Sequence, residues 1–90
     1  MIEIAKIMDL LEKLEVLEAL RVKTEDAYFD DEENEEKEAE FGEAVNAESA
    51  AFHRMCDTIV EFTDGRIQTH VAMRILINKR DALREILSCM

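Results

Sequence analysis

The 90-residue sequence predicts an all-α fold, a small bundle of three long helices, and three observations carry that prediction. Glu, Leu, Ala, Lys, Arg and Met dominate the chain, and these are strong helix formers. There is no proline and there are only two glycines, Gly42 and Gly65, whereas a many-stranded β fold needs such residues at its turns. Apolar residues recur at three- and four-residue steps through most of the chain, which is the period of a helix with a buried face. The length fits one domain with a modest core, one that a second subunit would help to close.

The first helix is predicted from about Ile2 to Val22. Ile4, Ile7, Leu11 and Leu14 form its stripe, and Leu10, Leu17 and Leu20 widen it. A stripe that wide packs against two neighbours or a second copy. Thr24, followed by Glu25 and Asp26, reads as an N-cap with acids in the first turn, and Tyr28 and Phe29 as anchors for that turn.

The apolar pattern then stops. From Asp30 to Glu40 the only uncharged residues are Asn34 and Ala39. Like charges four apart, Asp31/Glu35, Glu32/Glu36 and Glu36/Glu40, oppose helix formation, and only Glu33/Lys37 offsets them. Residues 24–40 are therefore predicted as an acidic linker between the first two helices or an extension of the second.

Apolar periodicity resumes with Phe41, Val45, Phe52, Met55, Ile59 and Phe62, ending near Thr63. Asp64-Gly65 is a stop signal, with Gly65 suited to a left-handed position after the helix. The last helix begins between Ile67 and Thr69. Its stripe is Val71, Ile75, Leu76, Leu83, Ile86, Leu87 and Met90. The methionines, Met8, Met55 and Met73 among them, read as fillers of an irregular core.

Charge is segregated. The net charge is −11, and residues 24–52 alone hold twelve acids against one base, Lys37. Residues 1–23 sum to −1 and residues 53–90 to +1. Binding of nucleic acid through phosphate contacts is not expected of such a chain, since its only basic patch, Arg74, Lys79, Arg80 and Arg84, is small. No run is apolar enough to span a bilayer, and the N-terminus lacks the form of a signal peptide. Cys56 and Cys89 do not make a disulfide framework, and reduced thiols in the cytoplasm are the expected state.

Several constellations bear on chemistry. Glu32-Glu33-Asn34-Glu35-Glu36 has the form E-E-x-x-E, and Glu61-Phe62-Thr63-Asp64 the form E-x-x-D. In a second register, Ala39-Glu40-Phe41-Gly42-Glu43 is followed by Arg54-Met55-Cys56-Asp57, with Ala39 and Arg54 standing where acids are required. Over about thirty residues this resembles the MazG type of nucleoside-triphosphate pyrophosphohydrolase. That resemblance implies carboxylates on facing helices holding Mg²⁺ and makes an active or degenerate pyrophosphohydrolase the alternative function. The same stretch fails as an EF-hand, since the required glycine falls on Glu35 and the closing glutamate on Phe41. His53, Cys56 and Asp57 share a helix face, but there is no second ligand pair for a zinc site, so no metal or other cofactor is assigned. No nucleophile with an orienting base and an oxyanion loop can be named, so no residue is assigned as catalytic.

The leading expectation is a binding protein, not an enzyme. It would present Asp30, Asp31, Glu32, Glu33, Glu35, Glu36, Glu38, Glu40 and Glu43 to a basic protein surface, and it would form a homodimer. In size and charge this matches inhibitors and regulators of nucleic-acid machines from phages and mobile elements, of the anti-CRISPR and DNA-mimic kind. A purely structural dimerisation module, with the acidic segment only aiding solubility, is a further alternative.

Overall fold

The computed structural model describes residues 3–89, and every regular element among them is an α-helix. These are α1 (Ile4–Asp30), α2 (Glu35–Phe62), α3 (Thr69–Asn78) and α4 (Arg80–Cys89). The all-α class is as predicted, but there are four helices where three were expected.

α1 runs eight residues beyond the predicted end at Val22 and passes straight through Thr24. Thr24 is therefore not an N-cap. Its hydroxyl donates back to the Leu20 and Arg21 carbonyls, both at 3.0 Å, which is how a threonine is accommodated inside a helix. The tertiary contacts of the extra turns hold them helical. Tyr28 stacks on Phe41 of α2 with ring centroids 5.6 Å apart, and Phe29 lies 6.4 Å from the same ring. Arg21 donates to Glu48 of α2 at 2.5 Å and to Glu25 at 2.7 Å. These hydrogen bonds, Glu48 first and then Glu25, hold the guanidinium above its ordinary pKa, so it stays charged.

Residues 35–40 of the acidic segment extend the second helix, as one of the two predicted readings has it, but residues 24–30 belong to α1. The segment is divided between the end of α1, a tight turn at residues 31–34, and the start of α2. Asn34 is the cap that sequence reading passed over. Its Oδ1 accepts from the Glu36 and Lys37 backbone N–H groups at 3.0 and 3.2 Å. Glu35, Glu36 and Glu38 then lie in the first turn, where carboxylates meet the positive end of the helix dipole. Of the three repulsive pairs counted from sequence, only Glu36/Glu40 lies within a helix, because the turn separates Asp31 and Glu32 from α2. Asn34→Ala is expected to cost about 1 kcal/mol, a fall of roughly 4–8 °C in Tm for a domain this size. Thermal unfolding followed by circular dichroism measures it, and an unchanged Tm would show that the cap contributes nothing.

α2 closes with Thr63 as C-cap, and Gly65 is left-handed (φ 79°) as predicted, with Asp64 (φ 54°) joining it in that region as C′. The Asp64 N–H donates to the Glu61 carbonyl and the Gly65 N–H to that of Val60, the two bonds of a Schellman ending. Asp tolerates this backbone region better than most residues, so Asp64 adopts it at little cost.

The predicted third helix is broken at Lys79. No glycine or proline marks the break. Lys79 (φ −133°, ψ 32°) donates its N–H to Ile75, and its carbonyl accepts from Leu83 to begin α4. The change of direction brings Leu87 into the core and aligns Arg80 and Arg84 with Glu18 and Glu15 of α1. A straight helix of twenty-odd residues would have carried its second half away from both.

The core lies at one end of the molecule. Ile7, Leu11 and Leu14 of α1 meet Met55, Cys56 and Ile59 of α2, Ala72 and Leu76 of α3, and Leu87 of α4. Met55 is fully buried, and Met8 and Met73 pack partly buried against the cluster. Val45, Val71 and Ile86, assigned from periodicity to buried stripes, stand exposed. Met90, also assigned to a stripe, and Ile2, the predicted start of the first helix, lie outside the described residues.

Beyond the level of Glu18, α1 and α2 continue alone as a two-helix arm, whose one buried apolar residue is Ala44. The molecule measures 47 × 22 × 21 Å, with a radius of gyration of 15.2 Å. A compact chain of this length has a radius of gyration of about 12 Å. A four-helix base carrying a projecting hairpin accounts for the difference.

Candidate functional site

The acidic turn is the free end of that arm. Asp30 ends α1, Asp31 caps it, Glu32 and Glu33 form the turn, and Glu35, Glu36 and Glu38 open α2. All seven are exposed. Their neighbours are few. Lys37 reaches Asp31 at 3.8 Å, and the Asn34 amide approaches the same carboxylate at 3.5 Å. The other carboxylates of this group have no ion-pair partner among the described residues.

Glu40 and Glu43, included with these seven in the sequence-based set, are not at the tip. They lie further down α2 and border a shallow depression with Leu20, Thr24, Ala44 and Ala47 on the flank of the arm. The nine predicted residues therefore form two groups, seven around the tip and two on the shaft.

The acidic motifs that resemble a pyrophosphohydrolase do not converge. Glu36 sits at the start of α2 and Glu61 near its end, 25 residues apart along one helix. At 1.5 Å per residue their backbones are separated by roughly 37 Å. No group of three or more His, Cys, Asp or Glu side chains gathers to hold a metal ion among the described residues. His53 and Asp57 face outward while Cys56 is buried in the core, so these three do not share a site either. Burial, and then the charge of Asp57, pushes the Cys56 thiol up, so it stays protonated and unreactive at neutral pH. Cys89 is free and exposed.

The small basic patch is also divided. Arg80 and Arg84 are held by Glu18 and Glu15, leaving Arg74 and Lys79 without an ion-pair partner among the described residues. None of the described helices is long and apolar enough to cross a membrane.

Sequence reasoning missed one feature of the base, an apolar groove of about 350 Å³ where all four helices and the α2–α3 loop meet, lined by residues that include Ile59, Phe62, Ile67, Ile75, Leu83 and Ile86. Each of these residues except Ile67 reads from sequence as a core stripe member. Only the bend at Lys79 separates α4 from α3 enough to open the space.

Compared with known proteins, the chain matches no family model, no curated protein and no solved structure.

Proposed function

We propose that this is a binding protein that presents the carboxylates at the tip of its helical arm to a positively charged surface on a protein partner. The observation that carries the reading is the position of the charge. Asp30, Asp31, Glu32, Glu33, Glu35, Glu36 and Glu38 crowd the end of the arm most distant from the core, and none of them packs against the base. Folding alone does not require this arrangement, because seven carboxylates around one turn repel one another. An opposing cationic surface relieves that repulsion and releases the counterions on both sides. A partner that itself binds nucleic acid has such a surface. An inhibitor or regulator of a nucleic-acid machine, from a phage or mobile element, is the finer form of the proposal.

The test is capture of protein from the native host on the immobilised chain, beside the variant in which Glu32, Glu33, Glu35 and Glu36 are all changed to Gln. Each exposed charge contributes about 0.2–1 kcal/mol to such a contact. The variant should therefore weaken binding by roughly one to three orders of magnitude, with helicity unchanged. A partner held by the native chain at low salt should be lost at high salt and absent from the variant. If both chains retain the same proteins regardless of salt, the proposal fails.

A further inference from the structure

We propose that two copies of this chain pair through the open side of the α1–α2 hairpin, antiparallel, about a two-fold axis passing near Leu20 and Ala47. α3 and α4 cover only one side of the hairpin, with α4 resting on α1 at Glu15 and Glu18. On the opposite side α1 carries a second stripe at heptad spacing, Lys6, Lys13, Leu17, Leu20 and Thr24. α2 contributes Glu40, Glu43, Ala47 and Arg54 to the same side. The shared depression of Leu20 and Thr24 with Glu40, Glu43 and Ala47 joins the two stripes. Leu20 is 44% exposed, and Val16 beside it is 67% exposed.

The elongated shape leaves enough surface for such a contact. The accessible surface is 6458 Å², whereas a compact monomer of 10.4 kDa exposes about 5,400 Å². The projecting arm accounts for the excess of roughly 1,000 Å², and a standard interface needs ~800 Å² from each partner.

The charges choose a second copy as the occupant and fix its orientation. Along α2, Glu40 lies seven residues before Ala47 and Arg54 seven residues after it, about 10 Å to either side. A two-fold axis at Ala47 therefore sets Glu40 against Arg54 of the partner subunit, and the reverse. Along α1, Lys13 lies seven residues before Leu20 on the base side, so the same rotation, which stacks α1 on the partner's α1, brings Lys13 level with the acidic stretch of the partner's adjacent α2. Neither Lys13 nor Arg54 has an ion-pair partner within its own chain among the described residues. A parallel pairing would instead stack the two acidic tips on each other. The antiparallel one sends the tips to opposite ends of the dimer, leaving both exposed.

Sedimentation equilibrium of the chain, its K13E/R54E variant and the K13E/R54E/E40K/E43K variant tests the pairing. At low ionic strength the native chain should show twice its 10.4 kDa mass. K13E/R54E should raise the dimer dissociation constant by roughly tenfold or more, since like charges now oppose across the axis. The fourfold variant should regain the native value, because it only exchanges the two sides of each pair. All the substituted side chains are exposed, and helicity by circular dichroism should not change. A native chain that stays at the monomer mass overturns the inference, as does a K13E/R54E variant that dimerises like the native chain. A fourfold variant that fails to recover overturns the antiparallel orientation. None of these outcomes depends on Glu32, Glu33, Glu35 or Glu36, so failure here is distinguishable from failure of the proposed tip function.

Discussion

Replacing Leu14 by alanine is expected to lower the unfolding free energy by about 3–4 kcal/mol. Leu14 is wholly buried, at 0% exposure, within the cluster where all four helices meet. Truncation leaves a cavity bordered by side chains on a rigid base, which can collapse only partly. A domain of this length has roughly 5–13 kcal/mol in total, so the loss is a large fraction of its stability. It corresponds to a fall of about 12–30 °C in Tm. Urea unfolding should show a lower midpoint with the same slope. Val16→Ala, two residues away on the exposed side of α1, should change stability by no more than about 0.5 kcal/mol. Equal losses at the two positions would contradict a core confined to this side of α1.

Phe41→Ala is expected to destabilise the arm alone, by about 2 kcal/mol. Phe41 is half-buried and meets both Tyr28 and Phe29, so it joins the two helices just below the acidic turn. The fully buried cluster begins only at Leu14 and Met55, well below it. Local opening of the arm therefore does not require the base to unfold. Hydrogen exchange should lose roughly 30-fold of its protection, the equivalent of about 2 kcal/mol, at amides around residues 26–30 and 38–45. Amides from Met55 to Ile59 should keep theirs. A uniform loss across α2 would mean that arm and base unfold as one unit. The same variant should weaken binding at the tip, because a frayed arm no longer holds the seven carboxylates at fixed spacing.

Together, the tip and the paired hairpins would make a two-ended molecule with an acidic patch at each end. Such a dimer would gain by effective concentration on any partner that offers two basic sites at matching separation.

The residues differ in how much of this they disclose from sequence. The all-α class was legible because helix-forming composition and three- and four-residue periodicity agree along the chain, and neither depends on what packs against what. The heart of the core was legible for the same reason, since Ile7, Leu11, Leu14, Met55, Ile59, Leu76 and Leu87 all lie on predicted stripes and all are buried. The segregation of charge was also readable by counting. Tertiary structure decided the rest. Thr24 looked like a cap because local chemistry favours one there, but Tyr28, Phe29 and Arg21 find partners on α2 only if α1 continues. Asn34 was overlooked in a run of carboxylates because capping depends on where the chain turns, not on composition. The break at Lys79 carries no glycine or proline, and it follows from the reach of α4 to Glu15, Glu18 and the core. Glu40 and Glu43 belong to the same acidic run as Glu35 and Glu36. One turn of helix per 3.6 residues rotates and carries them onto the flank of the arm, beside Leu20 and Ala47. Local periodicity specifies a helix and its apolar stripe. Which stripe is covered, and which is left for a second molecule, depends on how the helices are placed against one another.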